Sequence, residues 1–149
     1  MDTIPTVLVR KPIKKTLIVL RGIPGSGKTT LAHLLVSLSS ENQRVVDVAT
    51  DNFFMNEFGE YCFDKSRLTE AHQWCLEKTE EFLRRDFHLV VVHNAGYLLE
   101  HVRPYQEIAE RLGVRYIQLI VENTHNNRDV HGVPQEALDR MRINFEFLL

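Results

Sequence analysis

Cysteine is scarce. Cys62 and Cys75 are the only two in 149 residues, and they share neither metal-ligand nor redox spacing. A disulfide scaffold is excluded, and a reduced, intracellular setting is the expectation. Long apolar runs are missing as well: Leu17 to Leu20 and Leu89 to Val92 are the longest, far below the ~20 residues of a membrane span. Met1-Asp2-Thr3-Ile4-Pro5 lacks the basic start and apolar stretch of a secretory leader, so no membrane partner is expected. No charge sign dominates, since 18 Lys and Arg face 20 Asp and Glu for a net charge of −2. Wholesale coating of duplex nucleic acid is disfavoured, and any contact with phosphate has to come from a local cluster of donors.

What is there is an ordinary globular composition, 44% hydrophobic and 26% charged. A chain of this length buries roughly 70% of its unfolded surface around one core. Residues 1–149 therefore read as a single domain. Residues 1–15 form an N-terminal arm whose basic tract, Arg10-Lys11-Pro12-Ile13-Lys14-Lys15, reads as a solvated lead-in to the first strand.

Short β-branched runs alternate with longer helical patterns, the signature of βαβ units, a parallel sheet and an α/β fold. Strands are expected at Thr16 to Arg21, Arg44 to Thr50, His88 to Val92 and Val114 to Val121. Asp47 inside the second run suggests an edge strand with one wet face. Leu31, Leu34, Leu35 and Leu38 give a helix over 28–40 with a leucine face. A long helix from Leu68 to Arg85 carries Leu68, Ala71, Cys75, Phe82 and Leu83 on its apolar side, which gives Cys75 a packing role. Helices are also expected over 98–112 and from Gln135 to Phe147, and residues 52–66 read as a loop. The polar, amide-rich stretch over 122–134 suits either a lid over a site or a plain surface loop.

Gly22-Ile23-Pro24-Gly25-Ser26-Gly27-Lys28-Thr29 is a complete G-x-x-x-x-G-K-[ST] motif between the first strand and the first helix. Its glycines let the backbone curl so that successive N–H groups point inward at a helix N-terminus, making an anion nest. Gly22, Pro24, Gly25, Ser26, Gly27, Lys28, Thr29 and Thr30 are the candidate nucleotide-binding residues. Lys28 is aimed at the β- and γ-phosphates, and the Thr29 hydroxyl is the candidate Mg²⁺ ligand.

Ligands of an open parallel sheet collect beyond the carboxyl ends of its strands. Asp51, just past the second strand, suits a general base for an attacking hydroxyl, or else a helix or turn cap; the neighbouring P-loop favours the base. His93 stands after the third strand, where many P-loop proteins keep a carboxylate for Mg²⁺. Imidazole suits that ion poorly, so His93 reads as orienting water, substrate or a backbone carbonyl, with Asn94 beside it offering an amide to an acceptor. His72 reads as a core histidine and Trp74 as packing. Arg128, in the candidate lid, could hold two oxygens of the transferring phosphoryl group, with His131 as a weaker alternative.

These residues resemble the P-loop polynucleotide 5′-hydroxyl kinases, found in bacteriophage and as modules of eukaryotic ubiquitin-ligase-binding proteins. The likeness runs from about Leu17 to Met141. It rests on Arg21 through Thr30, Ala49-Thr50-Asp51-Asn52-Phe53-Phe54, Glu70-Ala71-His72-Gln73-Trp74, Arg103-Pro104-Tyr105 and Arg128-Asp129-Val130-His131-Gly132-Val133. The resemblance implies a P-loop three-layer sandwich with four strands in the order 2-3-1-4 and helices on both faces. It also implies an ATP- or GTP- and Mg²⁺-dependent kinase acting on the 5′-hydroxyl of RNA or DNA ends. Asp51 matches the family's base and Arg128 its lid arginine, while Asp51, His93, Asn94 and Arg103 are the candidate acceptor-binding residues. Three positions depart from the family: His93 replaces an acidic residue, Phe54 stands where the phage enzyme has an arginine for the acceptor's phosphate, and Asp129 replaces an asparagine. Two alternatives stay open, a small-molecule or nucleoside kinase of the same fold and a nucleotide-binding interaction module with a protein partner.

Overall fold

The computed structural model describes residues 14–40, 42–122 and 132–147. Its frame is a four-stranded parallel sheet of β1 (Thr16–Arg21), β2 (Val45–Val48), β3 (Leu89–Ala95) and β4 (Arg115–Ile120) in the order β2-β3-β1-β4. This is the order that the resemblance implied. β2 is an edge strand, in keeping with Asp47 in its middle. The helices are α1 (Lys28–Ser37), α2 (Thr50–Phe53), α3 (Leu68–Arg84), α4 (Arg103–Leu112) and α5 (Gln135–Ile143).

Strand alternation divides the buried side chains between two faces. Leu17, Val19, Val48, Val90 and Val92 meet α3 and α4 on one side, through Cys75, Leu83, Tyr105 and Ile108. Leu20 and Val91 meet Ala32, Leu31 and Leu35 of α1 on the other. Helices thus cover both faces. Each buried Leu or Val contributes roughly 1.5–3 kcal/mol relative to exposure, so the sheet is held mainly from these two sides.

In α3 the buried residues are Ala71, Cys75, Thr79 and Leu83, one every four positions. The Thr79 hydroxyl donates to the Cys75 carbonyl at 2.7 Å, which satisfies a polar group in an apolar stripe. Burial pushes the Cys75 thiol up to about 12, so it packs as an inert side chain. α4 opens with Pro104 in its first turn and stops at Gly113, whose φ of 65° is left-handed.

Four expectations need correction. β2 ends at Val48, not Thr50, because Thr50 already starts α2, too short to leave a periodic signal. Residues 52–66 are not all loop: α2 is followed by a Met55–Tyr61 bridge turning at Gly59, with φ 78°, and by a 3₁₀ turn at Lys65–Arg67. The leucine face of α1 is only half used, since Leu34 and Leu38 are 56% and 68% exposed while Leu31 and Leu35 face the sheet. The last helix ends at Ile143, not Phe147, and the chain then runs back to β1, where buried Arg21 donates to the Glu146 carbonyl at 2.6 Å and stacks on Phe145.

Candidate functional site

Val48 and Val19 both pair with Val92, so the P-loop and the Asp51 segment leave the sheet at the same level and the same edge. The P-loop follows β1 directly. Gly25 and Gly27 take φ of 80° and 102°, values that side chains resist. Gly22 is required for space, since a Cβ there would lie 2.6 Å from the Val121 carbonyl oxygen. Lys28 Nζ folds back onto the Gly22 and Ile23 carbonyls and so starts inside the loop that it would extend from. Among the described residues, Ser26 Oγ is buried without a hydrogen-bond partner. A concave loop at the start of α1, with a lysine and an unsatisfied hydroxyl, fits the phosphates of a nucleotide.

Arg21, at the last position of β1, is fully buried. It donates to Gln118 Oε1 at 3.2 Å and to the Tyr97 carbonyl at 2.8 Å, pinning the segment after β3 beside the P-loop. Desolvation lowers its pKa from the usual range. In the sequence its signal is a cation closing an apolar strand at the head of the motif block, with nothing local to show its partners.

Asp51 lies in the first turn of α2 and is half-buried. Tyr61, brought across by the Met55 bridge, donates its hydroxyl to Asp51 Oδ1 at 3.3 Å. Burial first, and then the Asp51 charge, raise the Tyr61 phenol above its ordinary value. Around this pair lies an aromatic cluster in which Phe54 meets Phe63 at 5.1 Å and Phe53 meets Trp74 at 6.0 Å. Phe54, at a position of departure from the family, is thus core to this segment and 5% exposed.

A cleft of about 570 Å³ opens on the α3 and α4 side, lined by Gly22, Pro24, Lys28, His72, Asn94 and Tyr105 among others. Asn94 donates to the Tyr105 hydroxyl at 3.4 Å, and its Oδ1 is buried without a partner among the described residues. That leaves an amide acceptor in the wall. His72, read as a core histidine, is exposed on this wall; partial burial and the nearby His101 lower its pKa.

His93 faces away from the cleft. It is 6% exposed and hydrogen-bonds Asp47 Oδ2 through Nε2 at 2.8 Å and Thr29 Oγ1 through Nδ1 at 3.3 Å. Its protein partners are a carboxylate and the P-loop threonine. Arg103 is exposed at the start of α4 and is not among the residues lining the cleft. Arg128 and His131, with most of the candidate lid, lie outside the described residues. Among the described residues no helix is long and apolar enough to cross a membrane.

A parallel 2-3-1-4 sheet with an anion-binding loop after its first strand defines a P-loop nucleotide-binding domain of kinase-like architecture. The family model described as AAA domain matches residues 17–148, and the chain belongs to that family. It is 29% identical over 139 residues to NEDD4-binding protein 2 of Homo sapiens, a match covering 87% of this chain but 8% of that protein. Among solved structures it is similar to APS kinase of Mycobacterium tuberculosis in complex with AMPPNP and APS, with a TM-score of 0.55 and 18% identity over 87% of this chain and 69% of that one. It is also similar to a chain of the Pnkp1/Rnl/Hen1 RNA repair complex, with a TM-score of 0.51 and 16% identity over 91% of this chain and 39% of that one. These matches support the resemblance read from the motif blocks.

Proposed function

We propose that this domain transfers the γ-phosphate of ATP or GTP to the 5′-hydroxyl of an RNA or DNA end. The observation that carries the reading is the placement of Asp51 at the same sheet edge as the P-loop, three residues beyond Val48 as Gly22 is three beyond Val19. Asp51 accepts the hydroxyl proton as the oxygen attacks, and the Tyr61 hydrogen bond fixes its carboxylate. Lys28 leaves its loop carbonyls for the β- and γ-phosphate oxygens, and the loop N–H groups hold the charge that moves to the leaving diphosphate. Mg²⁺, when bound, neutralises phosphate charge; the Thr29 hydroxyl would hold it. Asn94 Oδ1 is placed to accept a hydrogen bond from the molecule that receives the phosphate. Arg128 is proposed as the lid cation. End phosphorylation needs few backbone contacts, so it tolerates a net charge of −2.

One observation favours a second reading, phosphorylation of a small acceptor: the cleft wall also carries Leu68, Leu76 and Tyr97, and among the described residues Lys28 is its one Lys or Arg. The test is transfer from γ-labelled ATP and GTP to 5′-hydroxyl RNA and DNA oligonucleotides and to a panel of nucleosides. Labelled oligonucleotide supports the end-kinase reading. Labelled nucleoside alone moves the protein to metabolite phosphorylation, and nucleotide binding with no labelled acceptor favours a binding module.

A further inference from the structure

We propose that His33, Asp47 and His93 form a binding site for a divalent transition-metal ion of the Zn²⁺ class, on the face of the sheet opposite the cleft. Three elements converge to make it. Asp47 pairs with Val91 across the β2–β3 ladder, which places its side chain on the same face as Val91 and His93. α1 packs over that face through Ala32 and Leu35, and His33 leans from its flank onto Asp47.

The distances fit an ion. His93 Nε2 lies 2.8 Å and His33 Nε2 3.8 Å from Asp47 Oδ2, and one ligand atom from each residue lies within 4.8 Å of the others. Tetrahedral coordination with bonds near ~2.0–2.1 Å separates its donors by about 3.3 Å, between the two values observed. Loading therefore draws His33 inward and parts the Asp47–His93 hydrogen bond by about half an ångström. His33 is 65% exposed, which provides an entry path and leaves a fourth position for water. Two imidazoles and a carboxylate suit Zn²⁺ and disfavour Mg²⁺, which demands oxygen donors. The site is therefore chemically distinct from the Thr29 position.

The Asp47–His93 pair is complete without His33, so a purely structural hydrogen bond leaves the third residue unexplained. Thr29 supplies an outer partner for His93, as metal-bound histidines usually have. An ion on Nε2 fixes the ring proton on Nδ1, directed at Thr29 Oγ1. If Thr29 holds Mg²⁺ as proposed above, loading this site competes for the oxygen that Mg²⁺ uses. That coupling rests on the kinase reading, whereas metal binding itself does not.

The test is calorimetric titration of the full chain with Zn²⁺, without nucleotide, and with Co²⁺ as a visible-absorbing surrogate. The expected result is one ion per chain, intense tetrahedral Co²⁺ bands, and affinity weakened about tenfold or more in both His33→Ala and His33→Gln. Circular dichroism should show both variants folded, since His33 is exposed, and His72→Ala should bind like the parent chain. Absence of stoichiometric binding, or equal affinity in the His33 variants, would overturn the site. Loss of binding in His72→Ala with retention in His33→Ala would place the ion elsewhere. None of these results depends on phosphoryl transfer, so failure of the kinase reading would leave them unchanged.

Discussion

Between β1 and α1 the chain is shaped by its backbone, through Gly22, Gly25 and Gly27, and its working groups are largely N–H donors. Between β2 and α3 it is shaped by side chains, through Phe53, Phe54, Tyr61, Phe63 and Trp74, and the group proposed to work there is the Asp51 carboxylate. The positive-φ glycines of the first loop and its Lys28 contacts lie within one eight-residue motif, whereas the second loop needs partners up to twenty-one positions away, as Phe53 meets Trp74. On the proposed function, the first loop binds the nucleotide common to such domains and the second is free to vary with the acceptor.

Substitutions can separate the two. On the P-loop side, Lys28→Ala should lower transfer by roughly 10²–10³-fold through lost stabilisation of phosphate charge, for every acceptor alike. Acceptor-dependent loss would break the division. In the shared core, Leu83→Ala should cost about 2–5 kcal/mol in urea unfolding, with donor and acceptor preferences unchanged. On the acceptor side, Tyr61→Phe removes one hydrogen bond to Asp51, worth roughly 0.5–1.5 kcal/mol, and should slow transfer about two- to tenfold with nucleotide affinity intact.

The smallest effect lies away from both loops. Glu80 ties α3 to α4 through Arg111 and also meets Arg84, and the two guanidiniums hold its carboxyl down at about 2, against an ordinary 4.5. A depressed carboxyl stabilises the fold fully above its ordinary value and loses that contribution as pH falls toward 2. Because the pair is exposed to solvent, Glu80→Gln should cost less than about 1 kcal/mol at neutral pH and flatten stability against pH across that acid window.

The same contrast explains how much was legible in the sequence. β1, the P-loop and the start of α1 follow from glycine spacing beside an apolar run, so they were placed closely. The start of α3 was also placed correctly by its four-residue period. The region over 52–66 was not, because a four-residue helix and an aromatic cluster leave no local period. Asp47 was rightly assigned to an edge strand, but its partner was not legible. Finding His93 and His33 beside it requires the β2–β3 register and the packing angle of α1. The leucine stripe of α1 misled in the other direction, since periodicity shows which residues share a face and not how much of that face is covered.

The most direct test of the division is Asp51→Asn, with triphosphate affinity and phosphoryl transfer measured on the same preparation. If the second loop handles only the acceptor, nucleotide affinity should stay within about twofold while transfer falls by roughly 10²–10⁴-fold. Transfer at the parent rate, or nucleotide binding lost together with transfer, would contradict it.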